Sequence, residues 1–256
     1  MSIDFTKLHF GVDGDSITAG EQWSYYVYET LGMKSHHNVA VGSAVWHKRI
    51  LTNSKGESVS TQNYNDADFA GISDGWEETD DLVELQKRAN NCAVVHTQRF
   101  LSEVKDGMYP VPDIFAYAMG TNDREESLGD PEKALKGKSL EDNEDIDLFT
   151  EAGAMRWCLQ TVMEAYPLCR VFVLTPIQTS NPDHNAKLEK QIPIMCRIAG
   201  TMGAQVVDCY HNCGICEKFE ALGGAGKYLR DGLHPDKPGQ ELEGRYACKE
   251  IRNNMF

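Results

Sequence analysis

The sequence predicts a three-layer α/β/α fold around a five-stranded parallel sheet. Three observations lead there. Five short apolar, β-branched runs are spread along the 256 residues. Each is nearly continuous in apolar character, as expected of strands covered on both faces. Longer stretches of helical period separate them, and strand, helix, strand repeated along the chain implies right-handed crossovers in one α/β layer structure.

The elements follow in order. Residues 8–12 form the first predicted strand, and residues 23–31 have the period of a helix. Residues 38–41 are the second predicted strand. Residues 80–104 read as one long helix, because Leu82, Leu85, Ala89, Ala93, His96, Phe100 and Val104 recur at spacings of three and four and place one face on the sheet. Strands at 113–119, 170–175 and 205–209 alternate with helices at 149–166, 188–202 and 239–251. Two stretches break the rhythm, 47–78, polar and rich in Gly, Asn and Ser, and 124–147, which carries Glu141, Asp142, Glu144, Asp145 and Asp147. Both are expected as irregular insertions in a single domain spanning 1–256, the acidic one as a solvated loop.

Composition removes several classes of function. Lys and Arg number 25 against 39 Asp and Glu, a formal net charge of −14, and no basic cluster is present. Nucleic acid is therefore not an expected partner, since binding it requires clustered cations. The best apolar run, 171–174, stops at Thr175 and Pro176, so no membrane span is expected. The N-terminus reaches an acid at Asp4 and builds no apolar signal segment. The expected location is the cytoplasm for a chain beginning here, or a secreted or periplasmic one if a leader has been removed. Eight cysteines fall well short of the roughly 8–10% of a disulfide scaffold and read as buried thiols.

Ligands of open α/β sheets bind beyond the carboxyl ends of the strands. After the first strand comes Gly14-Asp15-Ser16-Ile17-Thr18, with Ser16 on a turn into a helix; after the third comes Gly120-Thr121-Asn122-Asp123; after the fifth comes Asp231-Gly232-Leu233-His234-Pro235. A hydroxyl, a carboxamide, a carboxylate and an imidazole thus meet at one sheet edge. Acyl transfer needs this set, because a serine hydroxyl attacks only when an imidazole takes its proton, and a carboxylate must orient that imidazole.

These blocks resemble those of the SGNH hydrolases, the GDSL-type esterases, in order and in structural context from Gly14 to Gly239. The resemblance implies a flavodoxin-like SGNH hydrolase fold and a carboxylic ester hydrolase without metal or cofactor. It implies Ser16 as nucleophile, His234 as base and then acid, Asp231 as its orienting carboxylate, and Asn122 as an oxyanion donor alongside the backbone N–H of Ser16. The family's glycine pair after the second strand is replaced by Gly42-Ser43, so either Gly42 or Ser43 supplies the remaining backbone donor. The favoured substrate is a carbohydrate O-acetyl ester, because the insertions are polar and contain aromatic residues. A lipase-like esterase or thioesterase for longer acyl chains is the alternative, and a non-catalytic carbohydrate-binding protein on the same scaffold is the alternative of another class. Oligomeric state is not legible.

Other residues have plainer readings. Asp15 and Asp123 are expected to brace their turns. Gly71-Ile72-Ser73-Asp74-Gly75 matches a nucleophile elbow in letters only, because no strand precedes it. Cys209, His211, Cys213 and Cys216 offer soft ligands, but too closely spaced for a tetrahedral site, and read as structural thiols. His36, His37, His47, His96 and His184 have no partner visible in the sequence and read as surface or packing residues. Trp46 and Trp76 are candidates to line a substrate pocket.

Overall fold

A computed structural model describes residues 3–20, 22–137, 139 and 146–255. In chain order it contains β1 (His9–Gly14), α1 (Ser16–Ala19), α2 (Gln22–Leu31), β2 (Ser35–Asn38), β3 (Ile50–Thr52), β4 (Ser58–Ser60), α3 (Leu82–Ala89) and α4 (Ala93–Lys105). There follow β5 (Ile114–Ala118), α5 (Pro131–Ala134), α6 (Glu151–Ala165), β6 (Arg170–Leu174), α7 (Pro182–Met202), β7 (Gln205–Val207), α8 (Cys209–Asn212) and α9 (Lys237–Asn253). The sheet has the order β2-β1-β5-β6-β7 with every pair parallel, the predicted five-stranded α/β architecture.

The strands read as continuous apolar runs because both faces are buried, and alternate residues feed two cores. Phe115, Tyr117, Val171 and Val173 face α4, α6 and α7, where they meet Phe100, Leu159 and Ile198. Ile114, Ala116, Phe172 and Leu174 face the opposite side, against Trp23 and Val27 of α2 and Ala247 and Ile251 of α9.

Four elements depart from expectation. The second strand begins at Ser35 and not at residue 38, because the imidazoles there pack by their ring faces: His36 against Phe10 and Tyr28, His37 against Phe100 and Tyr109. The expected long helix is two. Asn90 and Asn91 interrupt it, spending their side chains on distant backbone: Gln62 N–H donates to Asn90 Oδ1, and Asn91 Nδ2 donates to the Gly42 carbonyl. Asparagine competes in this way with helical bonding, and Cys92, extended, bridges to Val45. The first insertion is not wholly irregular either, since β3 and β4 pair as an antiparallel hairpin. The second contains α5, capped by the Asp130 carboxylate; its acidic residues Glu141, Asp142, Glu144 and Asp145 lie outside the described residues. Among the described residues no helix is long and apolar enough to cross a membrane.

Candidate active site

β1 runs into the site through Gly14, where a Cβ would stand 2.5 Å from the Ala118 carbonyl oxygen of β5, so only glycine lets the strands close here. Asp15 then caps α1, accepting the Ile17 N–H at 3.0 Å, and Ser16 is the first helical residue. The helix cap is therefore Asp15, which leaves the Ser16 hydroxyl uncommitted to capping. From the other end of the chain comes a loop pinched by Arg230 N–H to the His234 carbonyl and Asp236 N–H to the Tyr228 carbonyl. It carries His234 so that Nε2 lies 2.9 Å from Ser16 Oγ and Nδ1 lies 2.8 Å from Asp231 Oδ2. Partial burial works to raise the Asp231 carboxyl, but the backbone N–H and ring of His234 and the Leu233 N–H outweigh it, and the group stays charged below the usual range.

Val41, Gly42, Ser43 and Ala44 form a tight turn beside Ser16, closed by Ala44 N–H to the Val41 carbonyl at 3.3 Å. Ser43 has φ of 62°, the left-handed conformation, which no other described non-glycine residue adopts; Gly42 is not in it, as in a type II turn. Among the described residues neither the Gly42 nor the Ser43 N–H has an acceptor. A Cβ on Gly42 would lie 3.8 Å from Ser16 Cβ, so this turn abuts the serine. Asn122, half-buried after β5, spends one Nδ2 proton on the Ala44 carbonyl at 3.0 Å; an amide nitrogen has a second to offer. The Ser16 N–H, at the start of α1, lacks an intrahelical acceptor. A hydroxyl, a base, a carboxylate and four N–H sources are thus gathered at one end of the sheet.

The floor of the site is rich in buried acids. Burial pushes the Asp15 carboxyl up to about 6, with Asp123 adding to the rise while the Ile17 N–H, Thr121 and His234 oppose it. Glu243 of α9 is raised to about 8, by burial first and then by the charge of Asp15. Asp123 braces the chain just after the 41–44 turn, accepting the Trp46 N–H at 3.0 Å, and burial raises its carboxyl as well. Lys187 Nζ closes the loop after β5, donating to the Thr121 and Asp123 carbonyls at 2.9 and 2.7 Å. Neither Lys187 nor Glu243 was legible, since each lies on a helix outside the motif blocks.

A cavity of about 760 Å³ opens beside the turn, lined by Ser43, Arg49, Arg88, Arg124, Asp80 and Trp76 among others. Trp76 is 81% exposed on its wall, whereas Trp46 is wholly buried against Tyr117 and lines nothing. Ser73 Oγ donates to Glu84 at 2.6 Å. The histidines have partners that the sequence hid: His37 meets Glu103 at 3.1 Å, His47 lies 3.7 Å from Asp123, and His96 meets both Asp13 and Asn91. Cys209 and Cys213 are buried, and burial raises both thiols, Cys213 to about 12. The His211 ring is held by Asp208 at 2.8 Å, and no group of three or more His, Cys, Asp or Glu among the described residues could hold a metal ion.

No protein-family model matches the chain, and no curated protein matches it. Solved structures do. A protein of Lactobacillus plantarum is 14% identical over 98% of this chain and 99% of its own, with a TM-score of 0.59. A lipase/acylhydrolase from Enterococcus faecalis is 16% identical over 96% of each chain, with a TM-score of 0.53. An acetyl xylan esterase is 12% identical over 95% of this chain and 100% of its own, also at 0.53. At these identities the likeness is one of fold.

Proposed function

We propose that this chain, which has the fold shared by the lipase/acylhydrolase and the acetyl xylan esterase, is a serine esterase working through an acyl-enzyme. The observation that carries the reading is the unbroken relay from Asp231 through His234 to Ser16, with bonds of 2.8 and 2.9 Å, beside N–H groups that have no acceptor among the described residues. Ser16 Oγ attacks the ester carbonyl carbon while its proton passes to His234 Nε2. The carbonyl oxygen, now an anion, is held by Asn122 and the backbone donors, and Asp231 stabilises the imidazolium. Collapse breaks the bond to the alcohol oxygen, which leaves with the proton from His234. Water then attacks the acyl-serine, gives its proton to His234, and Ser16 takes that proton back as the acid departs.

The favoured substrate is a carbohydrate O-acetyl ester. The cavity beside Ser43 supports this, since guanidinium and carboxylate groups with one exposed indole suit a polyhydroxylated alcohol better than a long acyl chain. The test is hydrolysis of p-nitrophenyl acetate, butyrate and octanoate and of an acetylated sugar by wild type and Ser16→Ala. A loss of about 10³-fold or more with Ser16→Ala is expected. Equal rates would reject the esterase reading, and a preference for octanoate would replace the sugar-ester reading with the lipase-like one.

A further inference from the structure

The buried side of the donor turn carries a polar chain that the acyl-transfer scheme does not use. Asp13 and His96 are wholly buried, and Asn91 nearly so. Asp13 Oδ1 lies 2.8 Å from His96 Nδ1, His96 Nε2 lies 3.0 Å from Asn91 Oδ1, and Asn91 Nδ2 lies 2.7 Å from the Gly42 carbonyl oxygen. The partners assign the protons. Gly42 offers an oxygen, so the Asn91 amide must present its NH₂ there; a flipped amide would set two oxygens face to face. Its own oxygen then faces His96, so His96 Nε2 must carry a proton, while Nδ1 shares one with Asp13. The Gly14 N–H, also on Asp13 Oδ1, fixes that carboxyl to the strand that delivers Ser16.

We infer that Asn91, oriented by the Asp13–His96 pair, is a positioning residue that makes the Ser43 N–H the backbone oxyanion donor, an inference that rests on the esterase reading. In a trans peptide the carbonyl and the following N–H point in opposite directions. The buried Asn91 side chain holds the Gly42 carbonyl, so the Ser43 N–H points the opposite way, away from the core. The turn does not hold this direction by itself. With φ of 62°, Ser43 sits where a non-glycine residue is disfavoured. Rotating the 42–43 peptide would convert the type II turn to type I, bring Ser43 to negative φ, and turn the Gly42 carbonyl outward in place of the donor. The Asn91 bond opposes that rotation. Asn90 and Asn91 break the helical stretch, and that break puts the amide where it reaches the turn.

Kinetics on p-nitrophenyl acetate test the inference with wild type, Ser16→Ala, Asn91→Ala, the isosteric Asn91→Asp, Ser43→Gly and the Asn91→Ala/Ser43→Gly pair, each checked for a cooperative thermal transition. Both Asn91 variants should lose about 10- to 100-fold in kcat with KM within about twofold, less than the loss of a donor outright. Adding Ser43→Gly to Asn91→Ala should return about fivefold or more of that loss, because glycine tolerates the left-handed turn. Nitrogen-15 NMR of the wild type should find a proton on His96 Nε2. Asn91→Ala with unchanged kcat, while Ser16→Ala is dead, would overturn this inference and leave the esterase reading standing. A pair no faster than Asn91→Ala, or a bare His96 Nε2, would also overturn it. Equal rates in wild type and Ser16→Ala would sink both.

Discussion

Replacing Glu243 by glutamine should stabilise the protein, and by an amount that depends on pH. Glu243 is 3% exposed, and one of its carboxyl oxygens has no partner. Its carboxyl is raised from an ordinary 4.5 to about 8, so near neutrality the folded protein keeps a proton that the unfolded chain has released. A carboxyl shifted upward contributes its full stability below the unfolded value, and that stability is lost as pH climbs toward the folded value. The window here runs from about 4.5 to about 8. Keeping the group neutral costs about 1 kcal/mol near pH 5 and about 3 kcal/mol near pH 7, since each pH unit above the unfolded value adds about 1.4 kcal/mol. The gap of about 2 kcal/mol barely changes for any folded value at or above about 7. Glutamine is neutral at both pH values and carries no such cost. Urea unfolding of wild type and Glu243→Gln, followed by tryptophan fluorescence, should therefore show a stability difference that grows by about 2 kcal/mol in favour of the variant between about pH 5 and pH 7. A difference that is the same at both pH values would show that Glu243 does not hold its proton in the fold, and the reasoning would fail.

Three further outcomes are expected. Asp231→Asn, which keeps the shape but lacks the carboxylate that faces His234 Nδ1, should lower kcat on p-nitrophenyl acetate by about 10³- to 10⁴-fold; a loss under tenfold would remove Asp231 from the relay. Trp76→Ala should leave stability within about 0.5 kcal/mol, the indole being exposed, and should raise KM for an acetylated sugar but not for p-nitrophenyl acetate; equal effects on both substrates would take the cavity out of substrate binding. Ser43→Val should lower the thermal midpoint by several degrees, because a β-branched side chain at φ of 62° is strained by about 1–3 kcal/mol, and an unchanged midpoint would show that the turn relaxes without penalty.

The layers and the count of five parallel strands were legible because strands buried on both faces leave uninterrupted apolar runs, such as the one from Val171 to Leu174. The residues that meet at the sheet edge were legible for a related reason: each follows a strand end, where the topology leaves nowhere else for it to be. What escaped was bound up with side chains whose letters mislead. His36 and His37 look polar but form strand by burying ring faces, so the second strand was placed three residues late. The break between α3 and α4 is invisible to periodicity, because Ala89 and Ala93 keep their spacing while Asn90 and Asn91 turn to distant partners. A signal was nonetheless present, since Asp13 in an apolar strand and His96 on an apolar helix face are polar residues in core positions, and such residues need each other. Trp46 and Trp76 could not be told apart by composition; only the fold sends one inward and the other out.

The bond between Ser16 and His234 joins residues 218 positions apart. During synthesis Ser16 emerges 218 residues ahead of His234, so at about 5–20 residues per second the proposed nucleophile exists for tens of seconds without its proposed base. The Ser16 hydroxyl is inert through that interval, because an unassisted serine does not attack esters at a useful rate. On the esterase reading, Ser16 reactivity therefore waits for the loop that carries Asp231 and His234. A shortened chain ending before that loop would lack the imidazole that meets the Ser16 hydroxyl.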